Sequence, residues 1–260
     1  LVTGLLILLL LLYLTIQTAF FKNWTRQYLN EQLSQATKSD FNISKIEGNL
    51  FAKVRLSDIT LTSAGDTLLA IPAVDLDYQP FKTIKGKIDI NSLCISAPYL
   101  DADHILTLFQ DSTIRTDSQS TQPQQSQPFP YDLRIGKIAM QNGSIDLPKS
   151  SDKIPAQIKK LELAAALDYN SDKLALNLNK LSLETQSPAY SVKQISSELT
   201  RQNKNIILQN LNIETAENRI HGNAQYSQAQ FLAIELETTP LNFAEFSNLL
   251  PDLQPKINPE

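Results

Sequence analysis

Two histidines, one cysteine and a close pair of aspartates are the residues best suited to chemistry in this 260-residue chain. Zinc hydrolases place ligands at H-x-x-x-H or H-E-x-x-H spacing, so that both imidazoles leave one face of a helix. His104 and His221 are far apart and fit neither pattern. Each is expected at the surface, His104 on a short helix and His221 beside a turn at Gly222-Asn223. Cys94 has no adjacent histidine to activate it, and reactive thiolates need an electropositive neighbour. As the only cysteine, it also excludes an intrachain disulfide and a cysteine-based zinc site. Asp75 and Asp77 put two carboxylates on one side of a strand, which a general acid–base pair would need. An ordinary solvated sheet face has the same spacing, and that is the expectation here. No G-x-S-x-G, phosphate-loop or dinucleotide fingerprint occurs, and seven glycines leave little for phosphate-cradling loops. The chain is therefore expected not to be an enzyme and to use no catalytic residue, cofactor or metal.

Charge narrows the partners. With 23 Lys+Arg against 27 Asp+Glu, the net charge is −4. That balance lacks the basic footprint of a protein that grips nucleic acid through its phosphates. Apolar residues at 42% are enough to build a large buried surface.

The elements that would position any site are mostly strands. Period-two alternation runs through Ala73–Tyr78, Leu161–Tyr169 and Ile234–Leu236, among about ten strand candidates. Breaks at Ala64-Gly65-Asp66, Gln141-Asn142-Gly143 and Asn170-Ser171-Asp172 read as hairpin turns, since Gly and Asn tolerate left-handed backbone. Two short helices are expected after Pro98 and Pro240. Asp101 and Asn242 would be their N-caps, and Glu245 would complete a capping box.

One phrase recurs: apolar-x-apolar-x-x-apolar-x-apolar. It reads VRLSDITL at 54–61, IDINSLCI at 88–95, LRIGKIAM at 133–140, LNLNKLSL at 176–183 and IILQNLNI at 206–213, with a partial copy FNISKI at 41–46. An extra residue inside an alternating strand is what a β-bulge supplies; the side chains beyond it return to the original face, and the strand bends. A two-residue turn between very short strands is the competing explanation. The bulge is preferred because tight turns favour Gly or Asn in left-handed geometry. One face of a curled sheet would then be lined by Val54, Leu56, Ile59 and Leu61; by Ile88, Ile90, Leu93 and Ile95; and by Leu133, Ile135 and Ile138. Leu176, Leu178, Leu181 and Leu183 continue the lining, followed by Ile206, Leu208, Leu211 and Ile213. Such a face either closes on itself, giving a structural or adhesion module that binds a protein, or stays open as a trough for something apolar. Lipid acyl chains are the expected filler, at about 0.8 kcal/mol per buried CH₂.

The N-terminus supports a lipid setting. Leu1 to Phe21 carries no charge and is nearly all apolar, long enough for a membrane-spanning helix of about 20 residues. No small-x-small cleavage site follows, so a retained anchor is preferred to a signal peptide. Phe20, Phe21, Trp24 and Tyr28 suit the headgroup belt, with Lys22 and Arg26 just beyond. The expected organisation is an anchor at 1–21, a juxtamembrane helix at 22–40 continuing out of the membrane and a β segment at 41–110. A disordered Ser/Gln/Pro-rich insertion follows at 111–130, then a second β segment at 131–260. The start without Met and the end at Asn258-Pro259-Glu260 read as cuts in a longer chain.

Several stretches carry a family resemblance. They are Ile46-Glu47-Gly48-Asn49-Leu50-Phe51, Leu56-x-Asp58-Ile59-x-Leu61, the turn at Gly65-Asp66, the strand Ala73–Tyr78, and Gly86-Lys87-Ile88 leading to Leu93 and Pro98. With the N-terminal apolar run and the later LRIGKIAMQNGSIDL, the chain resembles the N-terminal region of the TamB branch of the AsmA-like family. The match is good over about residues 1–100 and looser beyond. The resemblance implies an inner-membrane anchor, with the β region in the periplasm of a Gram-negative bacterium. It also implies a long antiparallel sheet curled into an open, taco-like groove, carriage of phospholipid between the two membranes, and support of outer-membrane protein assembly and secretion. The partners it implies are membrane lipid and an outer-membrane barrel protein, the latter through a C-terminal region not in this sequence. The fold class expected is thus mostly β: a transmembrane helix, a curled antiparallel groove and two short capping helices.

Overall fold

A computed structural model describes residues 14–106, 131–148, 154–203, 205–227, 231–239, 241–242 and 245. The chain is mostly β, with twelve strands in one sheet among the described residues. Before the sheet comes helix α1, Ala19–Thr37. Thr18 caps it, its backbone extended (ψ 151°) and its Oγ1 accepting the Phe21 N–H at 3.3 Å. Residues 14–16 are helical but Gln17 and Thr18 interrupt the helix, so α1 starts afresh and does not continue an upstream helix. The expected anchor rests mainly on residues outside those described. Among the described residues no helix is long and apolar enough to cross a membrane.

The strands are β1 Asp40–Gly48, β2 Lys53–Ser63, β3 Asp66–Tyr78, β4 Lys87–Ser96, β5 Tyr99–Asp101 and β6 Asp132–Asp146. They continue as β7 Gln157–Tyr169, β8 Lys173–Gln186, β9 Tyr190–Gln202, β10 Asn205–Thr215, β11 Arg219–Ser227 and β12 Phe231–Thr238. Neighbours follow chain order, except that β5 carries on the line of β4 past Ala97 (φ 44°) and bridges β3 to β6. The β2–β3 turn is Ala64-Gly65, with φ of 53° and 96°. The β7–β8 turn is held by Asn170 Oδ1, which accepts the N–H groups of Asp172 and Lys173.

Three expectations are corrected. The sheet is mixed, because β4 and β6 pair parallel, Lys87 opposite Asp132 through Ser96 opposite Gln141. Parallel neighbours need a long crossover, and the chain between Ser96 and Asp132 provides it. The insertion expected at 111–130 belongs to that crossover and lies outside the described residues. The sheet itself passes from β4 to β6 without a break. Gln141-Asn142-Gly143 is not a turn but lies within β6, with Asn142 at φ 54°. His221, Gly222 and Asn223 likewise lie within β11. Glycine is required at 222 by close approach: a Cβ there would stand 2.5 Å from Leu236 Cδ2 and 2.6 Å from Glu235 O.

Of the two short helices, the first is present from 102 to 106, with Asp101 Oδ1 accepting the His104 N–H as a cap should. The second falls largely outside the described residues, and its capping box is not made. The Asn242 N–H goes to Asn218 Oδ1, and the Glu245 carboxylate accepts from Thr215 Oγ1, Asn218 Nδ2 and the N–H groups of Ala216 and Glu217. Glu245 thus ties down the β10–β11 turn, whose Thr215 and Asn218 are both buried.

Candidate functional site

The recurring phrase places its apolar residues on one face, and the neighbouring strands prove it. A single strand settles little, because an extra residue can leave either face outward; an unbroken neighbour is decisive. On β7, Leu163, Ala165 and Leu167 alternate regularly and pair with Met140, Ile138 and Ile135 of β6 and with Leu181, Leu178 and Leu176 of β8. On β11, Ile220, Gly222 and Ala224 pair with Ile213, Leu211 and Leu208 in the same way. Residues on an unbroken strand two apart share a face, so the residues flanking the slips of β6, β8 and β10 do too, and β4 pairs in step with β6. Across the slip of β2, Val54 and Ile59 meet in one buried cluster.

The result is a set of apolar rows crossing the sheet. One runs Ile46, Leu56, Val74, Ile95, Met140, Leu163, Leu181, Ile195, Ile213, Ile220 across ten strands and ends at Thr238. A second runs Val54, Leu76, Leu93, Ile138, Ala165, Leu178. A third runs Tyr78, Ile90, Ile135, Leu167, Leu176, Leu199, Leu208, Ala224, Ile234. Ile88 and Leu133 begin a fourth, which reaches Ile206, and Leu61 belongs to a row through Leu69, Leu100 and Ile145. Ile59 pairs with Ile43 and Ile71, and Leu183 with Val192. Every predicted lining residue has its place in these rows and pairs.

Four of the five phrases are bulges in the two-against-one sense. The register shifts opposite 90–92, between Ile135 and Ile138, between Leu178 and Leu181, and between Leu208 and Leu211. VRLSDITL is different. Asp58 takes left-handed backbone (φ 48°), yet β2 keeps constant register there with both β1 and β3. Each neighbour carries its own extra residue at the same level: Ser44-Lys45 between Ile43 and Ile46, and Pro72-Ala73 between Ile71 and Val74. The β3 copy was legible, since Leu69-x-Ile71-x-x-Val74-x-Leu76 fits the template, but the regular alternation of Ala73–Tyr78 hid it. Further slips at Lys159-Lys160 of β7 and Lys193-Gln194 of β9 were missed, because polar or small residues interrupt the phrase on one side.

Cover over this face is uneven. Ile43, Ile46, Val54 and Ile59 form a buried cluster with Leu29 of α1, Leu50 and Tyr78 against it. Burial of each such side chain is worth about 1.5–3 kcal/mol. Toward the other end, Ile206, Tyr226, Leu232, Ile234 and Leu236 are exposed, the last three at 66%, 59% and 58%. Between them lies an apolar cavity of about 180 Å³ lined by Leu69, Ile71, Ile95, Leu100, Met140, Ile145 and Leu161.

The residues with chemical potential are accounted for on the opposite face or at its ends. Asp77 meets Asn91 Nδ2 at 2.8 Å and Lys53 Nζ at 3.2 Å, and the Asn91 amide and then Lys53 hold its carboxyl below the usual range. Asp75 lies 3.7 Å from Arg55 Nε. Each aspartate is thus neutralised by its own cation on a solvated face. Cys94 stands between Asp75 and Ala139 in the sheet. His104 Nδ1 is 2.7 Å from Asp101 Oδ2, and that hydrogen bond raises its pKa. His221 is exposed between Asn212 and Glu237. Among the described residues no group of His, Cys, Asp and Glu is arranged to hold a metal.

No family model, curated protein or solved structure matches this chain. What the chain does must therefore be read from the geometry of the apolar face.

Proposed function

We propose that this chain is a membrane-anchored, lipid-carrying groove protein, in which the apolar face of the sheet holds acyl chains and the polar face meets water. The observation that carries the reading is the overlap of apolar rows that run from β1 to β11 and from β3 to β12, combined with cover that fades along them. A closed core would bury both ends of such rows. Here a single helix covers the β1 end, and large aliphatic residues stay in solvent at the other. Patches of this kind mark binding surfaces. The fade suits a cargo that slides along the face, held at about 0.8 kcal/mol per buried CH₂ and gripped by no polar group. In this reading the apolar run that begins at Leu1 and ends before α1 anchors the chain in the inner membrane, and the sheet stands in the periplasm. Phospholipid moves along it between the inner and outer membranes, and a barrel protein of the outer membrane is the assembly partner.

A second reading follows from β12, which pairs with β11 alone among the described residues and presents Leu232, Ile234 and Leu236 to solvent. It makes the sheet a module that binds a protein strand. Photo-crosslinking residues at Leu178 and Leu208 separate the two. Lipid adducts, with phospholipid recovered by extraction and mass spectrometry from the purified protein, are expected for the groove. Exclusive protein adducts and no bound phospholipid would overturn it.

A further inference from the structure

Where α1 meets the edge of β1, three cations surround one cavity of about 450 Å³: Lys22 and Arg26 from the helix and Lys45 from the strand. We infer that this cavity is a phosphate-binding site, taking the phosphate of a phospholipid headgroup or of a soluble phosphate ester. The inference rests on charge and geometry at this junction and does not depend on what fills the apolar face.

Elsewhere in the sheet cations meet carboxylates: Lys53 meets Asp77, Arg55 meets Asp75, and Lys180 meets Glu162. Around this cavity the balance differs. Among the described residues Glu47 is its one carboxylate, and it is taken by Lys45 at 2.7 Å. That hydrogen bond, with smaller contributions from Arg55 and Lys22, holds the Glu47 carboxyl below its ordinary range. Among the described residues no carboxylate pairs with Lys22 or Arg26, and both side chains are half-buried.

Arg26 is also held in place. Its Nε and Nη2 donate to Asn23 Oδ1 at 3.1 and 2.9 Å, and its Nη1 donates to Ile43 O at 3.3 Å. All these acceptors are neutral. A guanidinium has five N–H groups, so one remains on each of Nη1 and Nη2 for phosphate oxygens. Lys22 lies four residues before Arg26 and so on the same helix face, one turn nearer the N-terminus. The cavity wall also includes Gln17 and Ala19, where α1 begins. The first turn of α1 contains no acidic residue, so the positive end of its dipole is not neutralised there. Two cations without a carboxylate, with an unneutralised helix start beside them, match the charge of a phosphate better than that of a carboxylate or an apolar group.

The test uses the full chain in a neutral detergent. Line broadening in ³¹P spectra is followed for inorganic phosphate and for dihexanoyl phosphatidylglycerol, each titrated with the protein. Saturable binding of at least one probe is expected. Lys22→Gln, whose ammonium has no ion-pair partner within the described residues, should weaken binding about 10-fold, the equivalent of 1.4 kcal/mol. Lys45→Gln should weaken it too, and Lys180→Gln should leave it unchanged, with all three melting as the wild type does. Binding of both probes assigns a general phosphate site; binding of the lipid alone assigns a headgroup site. Absence of saturable binding by either probe, or wild-type affinity in Lys22→Gln, overturns the inference.

Discussion

The two ends of the sheet use the same sequence phrase and put it to different structural use. In β1–β3 the extra residues lie side by side: Ser44-Lys45, Ser57-Asp58 and Pro72-Ala73 occupy one level, and no register shift occurs there. In β6–β11 a strand with an extra residue faces one without, as β10 faces β11 across Gln209-Asn210. The first arrangement keeps the pairs in step across the extra residues and supports a buried cluster beneath α1. The second shifts register repeatedly, bending the strands, and its apolar face stays partly in solvent. An extra residue in one strand is thus only half of a bulge; the neighbour decides whether it becomes one.

The edges differ as well. The outer edge of β1 is closed by polar side chains at helical spacing on α1. Asn30 Oδ1 accepts the Ile43 N–H at 2.8 Å while its Nδ2 donates to Ile43 O at 3.3 Å, and Ser34 Oγ does the same for Phe41 at 2.9 and 3.2 Å. Two helix residues four apart match two strand residues two apart, because both steps are about 6 Å. Covered edges of this kind prevent unwanted strand addition.

The largest test of this contrast is a pair of deletions. Removing Asp58 leaves Leu56, Ile59 and Leu61 in plain alternation but makes β2 one residue short against both neighbours. The expected loss is about 3–5 kcal/mol in denaturant unfolding. Removing Asn210 instead gives β10 plain alternation against the unbroken β11, so a loss under about 1.5 kcal/mol is expected. Equal losses would erase the distinction. Next in size, Ile43→Ala should destabilise by about 2–5 kcal/mol, because it opens a hole in the covered cluster. Ile206→Ala, at an exposed position on the same face, should stay within about 1 kcal/mol and show its effect in lipid recovery.

Gly222→Ala sharpens the comparison at the open end. Its methyl would strike Leu236 and the Glu235 carbonyl, and about 1–3 kcal/mol of destabilisation is expected, with amide exchange faster in β12 than in β1. Asn30→Ala tests the closed edge. It should cost about 1–2 kcal/mol by stripping the Ile43 N–H of its acceptor and leaving Ile43 O to Arg26 alone, and sedimentation should reveal self-association that the wild type lacks. The smallest effect is expected at Glu245. Burial raises its pKa, but hydrogen bonds from Thr215, Asn218 and the turn N–H groups outweigh that and leave it lowered. A lowered folded pKa means that its contribution is present above the ordinary carboxylate pKa and fades as pH falls through the folded value. The thermal advantage of the wild type over Glu245→Gln should therefore be seen at neutral pH and vanish in acid.

Much of the apolar face was legible because the recurring phrase marks where a strand carries its extra residue. Leu176, Leu178, Leu181 and Leu183 point one way once that residue is absorbed between Leu178 and Leu181, as pairing with the unbroken β7 requires. Asp101 was legible as a cap for the same local reason. His221 was misplaced because Gly222-Asn223 has turn chemistry, while the glycine is needed for the approach of β12. Glu245 was misassigned because its spacing from Asn242 fits a capping box, while the buried Thr215 and Asn218 offer it more hydrogen bonds. Both errors concern groups whose partners are distant in sequence.

Side-chain direction follows from backbone period, so the identity of the residues on the apolar face was already written in the order of amino acids. Register, strand direction and edge protection depend instead on hydrogen bonds between segments far apart in the chain. The parallel pairing of β4 with β6, the in-step slips of β1–β3 and the closure of one edge by α1 were settled by the assembled sheet. The same dependence gathers Lys22, Arg26 and Lys45 around one cavity: helix spacing relates the first two, but the third is brought to them by the docking of α1 on β1.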